Sequence, residues 1–472
     1  MLRTKIVCTL GPATSDRETI EDLVKGGMNV ARINMSHGSG EDARKLIGLV
    51  REAGDAVERP IAILVDLQGP KIRVGTLPEP RELKEGALVT FAPEGLEEED
   101  ELPTTYPDLA RDVSPGDPVL LDDGLLELEC VAAQGERATF RVVRGGVLKS
   151  GKGINIPSGA LSATSLTQKD LDDLEVALEE GVEFIGLSFV RRAGDVARLR
   201  ERVGKRALIV AKIEMARALS AIEEILQEAD MVMVARGDLG VELPFEQVPL
   251  AQKKIIQLAN FHARPVITAT QMLESMIQYP RPTRAEASDV ANAVLDGTDA
   301  VMLSGETAVG RYPREAVGAL VRIIGEIEAS GILESGPLYL GRTHYALRAG
   351  ATPREHAVAA ATVDAARNLG APAILTITRS GFSARLVSSH RPHVPVFAVT
   401  TDLATYRQLA AVWGVRPILA ETEEVTYDAL STFGKREILR ARLGEEGDPI
   451  VVTAGFPFHQ PGTTNTMRVE RL

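Results

Sequence analysis

Eight short, nearly unbroken apolar runs alternate with helical stretches along the first two thirds of this 472-residue chain. They are KIVCTL (5–10), NVARINMS (29–36), PIAILVDL (60–67), FIGLSF (184–189), ALIVAKIE (207–214), DMVMVARG (230–237), PVITAT (265–270) and DAVMLSGE (299–306). Runs apolar on both faces suit strands of a parallel sheet that is covered on both sides. Helical patterns with start and stop signals lie between most of them. A Ser15–Glu18 capping box leads to Gly26–Gly27, a helix runs from Thr167 to Gly181, and a Thr283–Glu286 box leads to Gly297. Strand and helix repeated about eight times is the pattern of a (β/α)8 TIM barrel, an α/β fold.

Two segments depart from that rhythm. Residues 74–157 lack helical periodicity and carry the acidic run EGLEEEDE. The pieces ALVTF, PVLLDDGLLELECV and RATFRVVRGG read as antiparallel strands with tight turns. This is expected to be a small β-barrel domain inserted after the third strand, placed to act as a lid. After residue 337, AILTITRSG (373–381), VPVFAVTT (394–401), RPILA (416–420) and DPIVVTAG (448–455) alternate with helices, as in an open α/β domain. The expected division is 1–73 and 158–336 for the barrel, 74–157 for the lid and 337–472 for the C-terminal domain.

Aromatic residues make up only 4% of the chain, so the core rests on aliphatic side chains. A formal charge of −13 argues against nucleic acid or an anionic membrane as partner. Cys8 and Cys130 cannot build a disulfide framework, which fits a reducing compartment. No run is long enough to span a bilayer, and MLRTKIVCTLGPATSD does not resemble a signal peptide. A cytoplasmic location is expected.

In such a barrel the chemistry sits at the C-terminal ends of the strands. The second strand ends with Arg32, Asn34, Ser36 and His37, and the third with Asp66, Lys71 and Arg73. Ser188, Lys212 with Glu214, and Arg236 with Asp238 follow. The last two strands give Thr268 and Thr270, then Ser304 and Glu306. Any one of these reads equally as a solvated loop residue; converging, they suit a site for both a metal and an anion. Glu214 and Asp238 end neighbouring strands and suit a hard cation such as Mg²⁺. Arg32, Lys212 and Arg73 suit a phosphorylated substrate, because phosphoryl transfer needs mainly positioning and charge neutralisation. GVLKSGKG (146–153) fails as a P-loop, having Gly153 where a hydroxyl is needed and no helix pattern after it. GSGEDA (38–43) matches the loose dinucleotide form GxGxxA, but it lies in the second barrel unit.

The motifs TKIVCTLGPAT, ARINMSHG, DLQGPKIR, MVARGDLGVELP, TATQMLESM, PRPTRAEASDVANAVLDGTDAVMLSGETAVGRYP and PGTTNTMRV resemble the pyruvate kinase family, in order and along essentially the whole chain. The resemblance implies transfer of a phosphoryl group from phosphoenolpyruvate to ADP, giving pyruvate and ATP, in an allosterically regulated homotetramer. It implies Mg²⁺, with Mn²⁺ as a substitute, held by Glu214 and Asp238, and a second Mg²⁺ arriving with the nucleotide. Lys212 would stabilise the phosphoryl group in flight, and Arg32 would bind the substrate phosphate. Gly237, Asp238 and Thr270 would bind its carboxylate. Arg73, Asn34 and His37 would contact the nucleotide phosphates. Thr270 and Ser304 would order the water that protonates enolpyruvate, supported by Glu306.

DLQGPKIRVG departs from the family's commoner DTKGPEIRTG. In those members K⁺ sits beside the substrate, held partly by residues matching Asn34, Ser36 and Asp66. Lys71 replaces a glutamate here, and its ammonium can stand in for that charge. This combination resembles the family's K⁺-independent branch, so K⁺ is expected not to be required. MARALSAIEEI after Lys212 also differs from the commoner NxEG continuation. TRSGFSA (378–384) ends a strand and opens a helix; Thr378, Ser380, Gly381 and Ser383 are expected to hold a sugar-phosphate or AMP effector. The sequence ends in MRVERL, and the extra C-terminal domain of some bacterial members is not expected. Two rival readings are a Mg²⁺-dependent barrel aldolase or lyase of pyruvate or phosphoenolpyruvate, and a metabolite sensor without turnover.

Overall fold

The computed structural model describes residues 2–472 apart from 158–161, 163, 336–353, 423 and 457–462. Eight parallel strands close a barrel: β1 (Lys5–Leu10), β2 (Val30–Asn34), β3 (Ala62–Asp66), β4 (Phe184–Leu187), β5 (Leu208–Ile213), β6 (Met231–Ala235), β7 (Val266–Ala269) and β8 (Ala300–Leu303). Side chains alternate along each strand. Val7, Val30, Leu64, Phe184, Val210, Met233, Ile267 and Met302 fill the barrel axis. Their neighbours, such as Ile6, Ala31, Ile63, Ile185, Ile209 and Val232, pack outward under the helices. Both faces are therefore dry, which is why the strands read as unbroken apolar runs. Truncating Phe184 to Ala would open a hole on the axis and cost about 3–5 kcal/mol.

The register sets the level of the mouth. Asn34 pairs across to Asp66, and Asp66 to Gly186. A Cβ on Gly186 would come within 3.0 Å of Asp66 Oδ1, so glycine at this position makes room for the carboxylate.

The chain between β3 and β4 builds a six-stranded sheet and a two-stranded sheet. Their core is Ile72, Val74, Phe91, Leu121, Leu128 and Phe140, with Phe91 and Phe140 edge to face at 5.7 Å. The packing begins at Ile72, two residues ahead of the expected start of the insert. Leu88–Pro93, Arg137–Arg144, Leu126–Gln134 and Pro118–Leu121 pair antiparallel, whereas Leu102–Thr104 joins the edge in parallel.

The C-terminal sheet runs Val415–Leu419, Val396–Thr400, Ile374–Ile377, Pro449–Ala454, Thr466–Arg471. The first four strands are parallel and the last is an antiparallel edge. Arg391 joins this sheet's helical layer to the floor of the barrel. It donates to Asp299 (3.0 and 3.1 Å), Asn260 Oδ1 (2.6 Å) and Gly297 O (2.6 Å), and stacks over Trp413 at 4.9 Å. Ala410 and Ala411 press into the same end of the barrel core.

Two local expectations need correcting. The first helix, Arg17–Gly26, is capped by Asp16, whose side chain accepts from Thr19 N–H, and not by a Ser15–Glu18 box. Ser15 is spent on the preceding turn, its hydroxyl donating to Pro12 O. The strand Thr466–Arg471 was not expected: as a largely exposed edge it has no apolar run. The expected boundary at 336–337 lies outside the described residues, as do residue 158 and Pro461–Gly462 of PGTTNTMRV.

Candidate active site

Four charged side chains interlock at the mouth of the barrel. Arg32 clamps Asp66 Oδ2 with Nε at 2.8 Å and Nη2 at 2.6 Å, and its Nη1 donates to Thr9 Oγ1 at 3.0 Å. The Lys212 ammonium lies 3.2 Å from Asp66 Oδ1 and 2.8 Å from Glu214 Oε1. It also donates to Ser188 Oγ at 2.8 Å, and Ser188 donates to Leu67 O at 2.7 Å. Glu214 Oε2 accepts the Phe189 N–H at 2.7 Å. Two cations and two carboxylates thus balance inside the protein.

Their ionisation follows from that lattice. Burial works to raise the Asp66 carboxyl, but Lys212 and Arg32 overcome it and hold the group below the usual carboxylate range. Burial pulls the Lys212 ammonium down, and Asp66 and Glu214 outweigh it, so Lys212 stays protonated. Lys71 is half-buried, and burial lowers its pKa, helped by Arg73 and Lys212. Asp238 and Glu214 pull Lys71 the other way.

Asp238 follows β6 in the short helix Arg236–Glu242 and opens onto the cleft. The cleft walls and the nearby Glu214 charge push its carboxyl up to about 6. Two carboxylates that repel across a cleft form a donor pair for a divalent cation. Among the described residues no three His, Cys, Asp or Glu gather as a metal site; the carboxylates that feel each other here are Glu214 and Asp238. This pair fits Mg²⁺, which takes one or two carboxylates and completes its shell with water and substrate oxygens.

Above this cluster lies a cavity of about 370 Å³ between barrel and insert. Lys71, Arg73, Asp238 and Glu242 line it from below, and Asp122, Lys152 and Asn155 from the insert. Arg73 is tied to the insert by Nη1 donating to Gly151 O at 2.9 Å. Burial and Asp238 push Glu242 up to about 7.

On the other side of the mouth, Thr270 Oγ1 accepts the Gly237 N–H at 2.8 Å. The fully buried Glu306 accepts Ser304 N–H at 2.7 Å and Leu273 N–H at 3.0 Å, and so fixes the turns that carry Ser304 and the end of β7. Asn34 Oδ1 accepts the Ser36 N–H at 3.2 Å, so it faces its own loop. His37 is exposed on that loop. In the C-terminal sheet, Gly381 (φ 74°) opens the helix Phe382–Ser389, Ser380 O accepts from Arg385 at 3.1 Å, and Ser383 Oγ meets Thr464 Oγ1 at 2.7 Å. Thr378 is buried beside them.

The structure therefore brings Arg32, Asp66, Lys212 and Glu214 into direct contact and places Lys71, Arg73 and Asp238 on one cavity. Sequence reasoning missed Thr9, although the strand-end rule applied to β1 would have found it. It gave no role to Glu242, Asp122 or Lys152, which meet only because the insert folds over the barrel.

A closed parallel barrel with an inserted β unit, an appended α/β sheet and a carboxylate–lysine–arginine mouth is the architecture of a barrel enzyme with its site at the C-terminal ends of the strands. Comparison with known families agrees. Residues 1–317 match the family model for the pyruvate kinase barrel domain, and residues 356–470 that for the pyruvate kinase alpha/beta domain. The pyruvate kinase of Geobacillus stearothermophilus is 44% identical over 99% of this chain and 80% of its own length. Those of Corynebacterium glutamicum and Agrobacterium vitis are 42% and 41% identical over 100% of this chain, and over 98% and 97% of theirs. The chain belongs to the pyruvate kinase family. No helix among the described residues is long and apolar enough to cross a membrane.

Proposed function

We propose that this enzyme transfers the phosphoryl group of phosphoenolpyruvate to ADP, and that it does so without K⁺. The lattice of Arg32, Asp66, Lys212 and Glu214, beneath a cavity that Lys71, Arg73 and Lys152 line together with Asp122, Asp238 and Glu242, carries the reading. Asp66 neutralises part of the Arg32 charge and fixes its plane, leaving the guanidinium to receive the substrate phosphate. Lys212, kept charged by two carboxylates, sits where negative charge builds up during transfer. Glu214 and Asp238 would hold Mg²⁺, which would supply charge neutralisation for the phosphoryl transfer. The Gly237 backbone and Thr270 would orient the substrate carboxylate. Arg73, with Asn34 and His37 at the rim, would meet the nucleotide phosphates. Thr270 and Ser304, held by Glu306, would order the water that delivers a proton to the enolpyruvate carbon.

Lys71 would provide the monovalent charge. Its ammonium feels Asp238 and Glu214 from the cavity wall, while Asp66 is already engaged by Arg32 and Lys212. Lys71→Glu should then make turnover depend on K⁺; a Lys71→Glu enzyme fully active without K⁺ would refute this part. The units 74–157 and 337–472 would serve as lid and effector domain, with a sugar phosphate or AMP at Thr378, Ser380, Gly381 and Ser383, in a homotetramer. Binding of either effector to the enzyme, lost in Ser383→Glu, tests that assignment.

A further inference from the structure

Thr270 and Gln271 leave β7 with φ of 66° and 54°. A β-branched residue in the left-handed region is an outlier that its surroundings must impose. Here Arg236 reaches both carbonyls of the turn. Its Nε donates to Ala269 O at 3.1 Å, and its Nη2 to Thr270 O at 2.7 Å. The remaining N–H groups go to Met272 Sδ (2.8 Å), Asp289 Oδ1 (2.7 Å) and Gln252 Oε1 (3.3 Å). All five guanidinium donors are thereby used within the protein, and none is left for a substrate anion. Asp289 and Gln252 come from the outer helices Arg284–Leu295 and Val248–Phe261, so the clamp is anchored outside the cleft.

The same turn fixes the Thr270 hydroxyl. Its Oγ1 accepts from Gly237 N–H and donates to Ala269 O at 2.7 Å. That carbonyl is the one that also accepts from Arg236 Nε. We propose that Arg236 is a positioning residue for the proton-transfer half of the reaction. By holding the Ala269 and Thr270 carbonyls, it keeps the turn left-handed and the hydroxyl aimed along the mouth beside Gly237. This rests on the reading of Thr270 given above, and it adds a residue that touches neither substrate nor metal.

The test separates proton transfer from phosphoryl transfer. In D₂O, with Mg²⁺ and ATP, exchange of the pyruvate methyl protons is followed by NMR: a proton leaves C3, the enolate forms, and a deuteron returns. Arg236→Lys keeps the charge but loses the planar fork. Exchange and kcat should fall together, roughly ten- to hundredfold, as expected for a misplaced proton-transfer group, with KM for phosphoenolpyruvate nearly unchanged. Asp289→Asn, which loosens the clamp from outside, should show a smaller loss in the same sense. Millimolar guanidinium should partly restore exchange in Arg236→Ala. Parent-level exchange in Arg236→Lys, or a loss confined to KM, would overturn the inference; if that variant does not fold, Asp289→Asn decides. If Thr270→Ala also exchanges at the parent rate, the reading of Thr270 falls and takes the inference with it. If Thr270→Ala is dead while Arg236→Lys and Asp289→Asn exchange normally, only the inference fails.

Discussion

Replacing Lys212 with Met removes the cation that lies 3.2 Å from Asp66 and 2.8 Å from Glu214, two carboxylates that are nearly inaccessible to solvent. Two buried carboxylates then face each other with only Arg32 to offset them. Breaking such a buried pair costs about 3–5 kcal/mol, or roughly 10 °C in melting temperature for a domain of this size. The pH dependence carries the sharper signature. In the parent, the folded pKa of Asp66 lies below its ordinary value, so its contribution is present above the ordinary carboxylate range and lost as pH falls through the folded value. The folded pKa of Lys212 lies above its ordinary value, so its contribution is complete at any pH below that ordinary value. The parent should therefore be flat in this respect across neutral pH. In Lys212→Met the Asp66 carboxylate loses the largest charge that holds its pKa down and binds a proton more readily, and that proton replaces the missing cation. The deficit should be largest near pH 8 and shrink towards pH 5. Urea unfolding of both proteins at a series of pH values measures it. A deficit that does not change with pH, or one under about 1 kcal/mol at pH 8, would refute the reasoning that these charges balance as a unit. Turnover should fall by at least two to three orders of magnitude, as when a preorganised charge is removed.

Burial and the Glu214 charge push the Asp238 carboxyl up to about 6, so apparent Mg²⁺ affinity should weaken as pH falls from neutrality towards 5. Calorimetric Mg²⁺ titrations at pH 7.5 and 5.5 should show this for the parent, and Asp238→Asn should bind weakly at both. Arg391→Met leaves Asp299 buried without its cation and should destabilise the protein by about 3–5 kcal/mol, seen by thermal unfolding. Because Trp413, the chain's one tryptophan, stacks on Arg391, its emission should shift in the same variant.

The barrel was legible because both faces of its strands are dry: Val7 points to the axis and Ile6 to the helices, so the whole run is apolar. The edge strand Thr466–Arg471 was not, since its side chains alternate without a buried face. Arg32, Asp66, Lys212 and Glu214 were legible from the rule that strand ends meet at one mouth. Their pairing was not, because it depends on register: Gly186 beside Asp66 is a fact of sheet geometry, not of local sequence. The role of Arg236 was hidden for a similar reason. Its partners Gln252 and Asp289 lie 16 and 53 positions away on two helices. The insert's contribution at Asp122 and Lys152 appears only once the sheets are folded over the mouth.

The most direct test is pyruvate formation from phosphoenolpyruvate and ADP with Mg²⁺, first in K⁺-free buffer and then with K⁺ added. Full turnover is expected in both. Turnover only with K⁺ would contradict the role given to Lys71, and no pyruvate in either buffer, with sugar phosphates and AMP also present, would contradict the phosphoryl transfer itself.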